Sequence, residues 1–335
     1  MNFQHPKDKV LFPFLKKGKD KRYIRNWRPV TLLNVDYKIV TKCLAKRLDK
    51  KIPVLIHETQ SAFVRNRYIG DVIRLIEEVM NYTEHMNLPG ILITVDLEKA
   101  FDSLEWSYLF KVLKTFDFGQ SFINWIKTCY KNSESCVMNK GTSTGYFKLF
   151  RGVRQGDCIS PMLFVLALEI FLISLRSEKN IKGIDVHGEE IKNSSFADDL
   201  TCFIQDEQSA SNLFKLLDRF TSVSGLKVNV NKNEAMWLGK QKHCKDKPLG
   251  VKWPDDPIKI VGIYISYDRE RALQMNLAEP LEKLRCSLNF WKSRDLTILG
   301  KIQIIKTMGI SRVQYVMNMI EILCSELKKV NSLIY

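Results

Sequence analysis

Three aspartates carry the chemistry that this sequence could perform: the adjacent pair Asp198-Asp199 and, about a hundred residues upstream, Asp96. The pair lies in Phe196-Ala197-Asp198-Asp199, preceded by Asn193-Ser194-Ser195 and followed by the apolar alternation Leu200-Thr201-Cys202-Phe203-Ile204. Two neighbouring carboxylates between two short β-like runs belong at a hairpin tip. Like charges side by side repel, so such a tip is poorly stabilised unless a cation sits there. Taken alone, an Asp-Asp pair is more often a solvated turn than a metal site. The rest of the chain overturns that prior.

The elements around these residues must bring them together. Ile91-Leu92-Ile93-Thr94-Val95 is a β-rich run ending in Asp96. Helices are expected over 104–116 and 120–130, then a hairpin over 135–150 and the polar loop Arg151 to Asp157. Ser160-Pro161 reads as an N-cap and first turn, opening a buried helix through Leu163, Phe164, Ala167, Ile170 and Phe171. The acidic hairpin 194–204, a helix near 209–223 and the strand Ala235-Met236-Trp237-Leu238 follow. Without the inserted helices the order is β-α-β-β-α-β, the ferredoxin-like plan. There the first and third strands pair antiparallel, so Asp96 should approach Asp198 and Asp199.

On the N-terminal side, one helix is expected with Val35, Ile39, Val40, Cys43, Leu44 and Leu48 on its apolar face. Lys38, Lys42, Lys46 and Arg47 would lie opposite. A second helical pattern runs through Val72, Ile73, Leu75, Ile76, Val79 and Met80. On the C-terminal side a hairpin near 258–266 precedes helical patterns over 270–292 and 296–320. No internal repeat is present.

The 335 residues carry 52 Lys and Arg against 37 Asp and Glu, a net +15 that favours a polyanionic partner. Residues 1–60 hold fifteen of the basic side chains and five acidic ones. Nucleic acid and an anionic membrane surface are the two readings of that excess. Membrane spanning is excluded on the expectation that no apolar run approaches the ~18–20 residues required, and the N-terminus lacks the apolar core of a signal peptide. The eight scattered cysteines include no Cys-x-x-Cys pair, which argues against a disulfide framework or a zinc site. They read as small, mostly buried apolar residues of a protein in a reducing compartment.

Carboxylates on opposing strands suit two Mg²⁺ ions, held by Asp oxygens together with substrate phosphates. Such a pair can activate an attacking hydroxyl and stabilise the leaving oxygen of a phosphoryl displacement. A 3′-hydroxyl attacking a nucleotide α-phosphate fits both the acidic site and the basic surface.

At this point a family resemblance enters. Val95-Asp96-Leu97-Glu98-Lys99-Ala100-Phe101-Asp102 resembles the first palm motif of non-LTR (LINE-type) retrotransposon reverse transcriptases. Arg154-Gln155-Gly156-Asp157-Cys158-Ile159-Ser160-Pro161 resembles their second, Phe196 to Asp199 the third, and Gly225 to Lys232 the fourth. Val261-Gly262-Ile263 resembles the hairpin that follows, Asn26 to Asn34 the fingers motif, and Trp291 to Lys306 the thumb. The similarity is collinear over nearly the whole chain.

The resemblance implies an α+β right-hand polymerase: partial fingers over 1–90, a ferredoxin-like palm over 91–268 with inserted helices at 117–180, and a helical thumb over 269–335. It implies an RNA-directed DNA polymerase adding dNTPs to a DNA primer on an RNA template, with two Mg²⁺ ions for which Mn²⁺ could substitute. Asp96, Asp198 and Asp199 would hold the metals, and Lys232 would give a proton to the leaving pyrophosphate. Phe101 would sit under the incoming sugar and exclude a 2′-hydroxyl; without the flanking motif it reads as a core Phe. Arg28 and Lys16 would grip the triphosphate, while Gln155 and Gly156 line the nucleotide pocket. Arg154, Lys42, Lys46 and Gly262 would meet template and primer. Asp102 also resembles the second carboxylate with which RNA polymerases read a ribose, an alternative that Phe101 and the Phe-Ala-Asp-Asp form weigh against.

Two other readings stand beside this one. The chain could be a catalytically silent remnant that only binds nucleic acid, or an intron maturase. The lack of an appended maturation domain counts against the second. The chain begins within the fingers and stops after the thumb, with no endonuclease or cysteine-histidine knuckle. The expectation is therefore a polymerase core or a fragment of a longer element, not a complete self-mobilising protein. Action in the nucleus is what the family implies.

Overall fold

The computed structural model describes residues 7–15, 18, 20–23, 26–139, 142–254 and 257–334. Its centre is the strand Pro89–Glu98, which pairs antiparallel with Asp199–Ile204 on one side and with Glu234–Gly239 and Lys227–Val228 on the other. Asn193–Phe196 completes the sheet beyond Asp199–Ile204. Numbering only the expected βαββαβ strands, their order across the sheet is 4-1-3-2, the ferredoxin-like arrangement.

Successive residues of a strand point to opposite faces, and this sheet has a core on each. Ile91, Ile93 and Val95 face one core, together with Leu200, Cys202 and Ile204 from the hairpin and Ala235 and Trp237 from the fourth strand. The helices Trp106–Thr115, Ser160–Ser177 and Glu207–Ser224 cover that side through Leu109, Leu163, Phe164, Leu213 and Leu217. Leu92, Phe203 and Leu238 face the other, against Val72, Ile73, Ile76 and Val79 of helix Ile69–His85. A slip of one residue in pairing would exchange the two sets of side chains, so burial on both faces fixes the register.

Residues 7–15 and 27–32 form an antiparallel pair, and Lys7 to Leu11 also run parallel to Glu134–Asn139. The expected 135–150 hairpin is thus part of a larger sheet, whose parallel partner lies too far back in sequence for local pattern to disclose. Lys16 lies outside the described residues, as does the side chain of Arg28 on strand Trp27–Leu32.

Helix Val35–Leu48 rotates the expected face. It buries Tyr37, Thr41, Leu44, Ala45 and Leu48, leaving Val35 70% and Ile39 58% exposed. Polar residues at two buried positions hid this stripe; the Thr41 hydroxyl is satisfied by the Tyr37 carbonyl at 3.1 Å. Ser160 is likewise the first helical residue rather than the cap, with Ile159 before it and no side-chain cap. The cysteines also depart from expectation: all eight are free, but only Cys129, Cys136 and Cys202 are buried.

The expectation about apolar runs needs correction too. Helix Ser160–Ser177 is long and apolar enough by length and composition to cross a membrane, the one such helix among the described residues. Here it is a core helix, with Leu163, Phe164, Leu166, Ala167 and Leu172 all inaccessible to solvent. Its apolarity on every side reflects burial all round from Met162 to Glu169, while Ile173 farther along is exposed.

Beyond the sheet, the hairpin Ile258–Ile260/Ile263–Ile265 and the helices Arg269–Lys292 and Ser311–Met319 join the second core through Ile258, Ile263, Leu273, Leu277 and Val316. A small separate core of Leu284, Val313 and Val330 holds the C-terminal helices to one another.

Candidate active site

The ladder sets Asp199 directly across from Asp96. Asp199 also pairs with Phe196, so Ala197 and Asp198 alone form the hairpin turn. All three carboxylates therefore sit at one end of the central strand pair, on backbone whose position two cores determine.

Asp96 is held by its neighbours across the strand. Its N–H donates to Asn233 Oδ1 at 3.1 Å, and its carbonyl accepts from the Asn229 N–H at 2.8 Å. Lys232, between those two residues, places Nζ 3.0 Å from both carboxylate oxygens of Asp96. A short 3₁₀ turn, Val230–Lys232, presents it.

The hairpin carboxylates repel. Asp199 is pushed up to about 6, chiefly by lost hydration, then by the charges of Asp198 and Asp96, with Lys232 opposing. Asp198 is raised as well, mainly by lost hydration and further by Asp96, while its own backbone N–H and Lys232 ease the shift. An acidic group of this kind gains from a cation that neutralises it. Among the described residues no three His, Cys, Asp or Glu side chains converge as a ready-made metal cage. The backbone places the donors at one end of the sheet, but Lys232 engages Asp96. Hard oxygen donors and mutual repulsion fit a hard cation; rotation of Asp96 away from Lys232 would complete its approach.

The residues expected to meet the nucleotide gather around the turn after Asp96. Phe101 stacks on Phe164, ring centroids 5.1 Å apart and 17° from parallel. The second-motif loop docks on this turn through hydrogen bonds from Gly152 N–H to the Leu104 carbonyl and Val153 N–H to the Phe101 carbonyl. Gly152 has φ +86°, and a Cβ there would meet the Asp102 carbonyl oxygen at 2.8 Å. Close approach thus requires glycine at 152, whereas a Cβ at Gly156 (φ +89°) would make only an ordinary contact, 3.6 Å from the Thr31 carbonyl oxygen. Gly156 thus lies near the strand bearing Arg28. Gln155 donates from Nε2 to Asp102 Oδ1 at 3.3 Å.

Arg154 falls elsewhere. It is 5% exposed, with its guanidinium 5.6 Å over the Tyr37 ring, and burial lowers it to about 10. It braces the loop against helix Val35–Leu48 and presents no surface to a template strand. Lys42 and Lys46 are exposed and share a helix face with Val35 and Ile39. Gly262 (φ +88°) lies at the tip of the 258–265 hairpin. That tip lines a cavity of about 350 Å³ with Asp96, Asp199, Lys232, Lys252 and Lys259.

Sequence reasoning missed Asn233, Asn229 and Gln60. Gln60 bonds the turn residue Ala197 through both amide atoms. A polar residue in a polar segment carries no local sign that it is buried. Alanine at 197, a turn position of positive φ, is the structural sign that outside support is required.

With this geometry in place, comparison with known proteins is specific. The family described as reverse transcriptase (RNA-dependent DNA polymerase) matches residues 15–265. A transposon TX1 protein of Xenopus laevis, an uncharacterized 149 kDa protein, is 32% identical over 312 residues, 91% of this chain and 24% of its own length. The Pol polyprotein of retrotransposable element R2DM from Drosophila melanogaster is 28% identical over 65% of this chain and 20% of its own length. The chain thus spans about a quarter or less of these relatives. Among solved structures, apo telomerase from Candida tropicalis superimposes with a TM-score of 0.55 at 13% identity, over 92% of this chain and 60% of that one. Telomerase from Candida albicans, solved with a fragment of telomeric RNA, gives 0.51 at 12% identity, over 98% and 57%. At such identity the likeness speaks for the right-hand polymerase fold alone. The chain belongs to the reverse transcriptase family, among the enzymes of retrotransposons that lack long terminal repeats.

Proposed function

We propose that this chain is an RNA-directed DNA polymerase core that extends a DNA primer on an RNA template, using dNTPs and two Mg²⁺ ions, with Mn²⁺ as a substitute. The observation that carries the proposal is the pairing of Asp96 with Asp199, Asp198 standing at the turn between the hairpin strands. Divalent cations held by these three residues would neutralise the charge gathering on the attacking and leaving oxygens.

The chain's own groups do the rest. The primer 3′-hydroxyl loses its proton to solvent, its oxygen bonds to the α-phosphorus, and the bond from that phosphorus to pyrophosphate breaks. Lys232, beside Asp96, would give its proton to the departing pyrophosphate. Phe101, backed by Phe164, would form the floor of the sugar site and crowd a 2′-hydroxyl. Gln155, oriented by Asp102, and Gly156 would flank the base and triphosphate, with Arg28 and Lys16 contributing from the fingers. Lys252 and Lys259 in the cleft, and Lys42 and Lys46 on the outer helix face, would meet nucleic-acid phosphates.

Primer extension on an RNA template tests this. Wild type should incorporate dNTPs with added Mg²⁺. Asp198→Asn should lose about a thousandfold or more, because several kcal/mol of charge stabilisation rest on the site and each ~1.4 kcal/mol is tenfold. No extension by wild type, or undiminished extension by the variant, contradicts the proposal. The silent-remnant reading predicts the first of these, together with retained, salt-sensitive RNA binding.

A further inference from the structure

We infer that Gln60 is a positioning residue for the metal-binding hairpin: its buried carboxamide holds the Ala197 turn, and through it Asp198, in place. The inference rests on the function proposed above. Asp198 occupies a two-residue turn, and the residue before it, Ala197, has φ +56°. Side chains with a Cβ disfavour that region, and tight hairpin turns fill it with Gly or Asn. Alanine supplies no conformational freedom and no side-chain hydrogen bond. Something else must hold the turn.

Gln60 does so from outside the palm strands. It is fully buried. Its Oε1 accepts from the Ala197 N–H at 3.0 Å and from the Ala62 N–H at 2.9 Å, while Nε2 donates to the Ala197 carbonyl at 3.3 Å. Two N–H donors facing one atom and a carbonyl facing the other fix which end is oxygen. One side chain therefore satisfies both backbone polar groups of the residue in the disfavoured conformation.

The segment bearing Gln60 is itself anchored at both ends. Ser195 N–H donates to the Thr59 carbonyl at 2.8 Å, and Ser61 N–H donates to the Ser195 carbonyl at 3.0 Å. The segment thus lies along the outer edge of strand Asn193–Phe196 as a parallel bridge. Behind it, the Arg67 guanidinium donates to the carbonyls of Ile56 and Gln60, both at 2.7 Å. The bracket spans two sequence regions 137 residues apart. It makes the position of Asp198 depend on more than the hairpin. Gln60, fully buried, offers no surface to substrate or metal; its action passes through the Ala197 backbone.

Gln60→Met preserves volume and removes the clamp. Gln60→Glu keeps the acceptor but sets an oxygen against the Ala197 carbonyl. Both should lower kcat by roughly ten- to a hundredfold, the scale that a misplacement of about 1 Å produces, with KM for dNTP little changed. The Mg²⁺ concentration giving half of the metal-induced thermal shift should rise. Ala197→Gly, which lets the turn adopt positive φ unaided, should recover most of both losses in the Gln60→Met background. A clamp that merely stabilises the fold predicts a lower Tm with unchanged kcat and Mg²⁺ dependence, or losses that Ala197→Gly does not restore; either result overturns the inference. If wild type fails to extend primers, the polymerase reading falls, while the Mg²⁺-dependent thermal shift still compares the variants. If both Gln60 variants fail to fold, amide exchange in wild type decides: protection of the Ala197 N–H comparable to Leu200 supports the clamp, and exchange at the rate of an open turn refutes it.

Discussion

The two sides of the cleft are built on different principles. On the side proposed to hold metal, Asp96 and Asp199 are fixed by a strand register that two hydrophobic cores enforce, with Ile93 and Cys202 facing one core and Leu92 and Phe203 the other. On the side proposed for the nucleotide, Phe101 on the one-turn helix Ala100–Ser103 and Gln155 and Gly156 on a loop are joined by a few backbone bonds, the Gln155–Asp102 and Trp106–Gly152 hydrogen bonds and the Arg151–Glu105 ion pair. Register tolerates no small displacement, because the next allowed pairing moves every side chain to the wrong face. Loops on turns adjust by fractions of an ångström. The contrast would suit the proposed function, in which metal geometry is constant but four different nucleotides are accepted in turn.

If that contrast is real, substitutions on the nucleotide side should change selectivity and leave metal chemistry intact. Phe101→Ala should raise ribonucleotide incorporation relative to deoxynucleotide by roughly ten- to a hundredfold, the range available from steric discrimination in a pocket. Single-nucleotide incorporation with dGTP against GTP measures it. Its Mg²⁺ dependence should match that of wild type; a shifted dependence would show the two sides to be one unit.

The metal side should instead respond to pH. Asp199 is raised to about 6 in the fold from an ordinary value of 3.8. A raised carboxyl binds its proton more tightly folded than unfolded, so its contribution to stability is present below about 4 and is lost as pH rises through about 6. Without added metal, Tm should fall over that window, and Asp199→Asn should flatten the fall. Mg²⁺ should recover the loss at pH 7.5 but act weakly at pH 5, where protons compete for the same oxygens. A Tm profile unchanged by Asp199→Asn removes this account of the site's charge.

The smallest effect is expected farthest from the chemistry. Replacing Lys42 and Lys46 together with Ala should weaken RNA binding about equally for all sequences and lower the salt dependence by roughly two ions. Filter binding across a salt series reads this, and an unchanged slope would place nucleic acid elsewhere.

Much of the metal side was legible in the sequence, since alternation over 91–95 and 200–204 gives strands and the ferredoxin-like order gives the neighbour. Phe101 and the second-motif loop were legible only by resemblance. Arg154 was misplaced because charge marks a residue as a surface candidate, while its burial depends on Tyr37, more than a hundred residues away. The apolar face of helix Val35–Leu48 was misread because Tyr37 and Thr41 are polar by type and buried by position. Gln60 and Asn233 were invisible for a related reason: each acts through backbone groups distant in sequence, and composition says nothing about where an amide points.

Direct measurement of a shared ion addresses the main claim without requiring turnover. Mn²⁺ titration of the purified chain, followed by electron paramagnetic resonance, should show binding that weakens in Asp96→Asn and in Asp198→Asn, with the double variant costing less than the sum of the two. Binding untouched by Asp96→Asn, or losses that simply add, would mean that the strand and the hairpin hold no common metal.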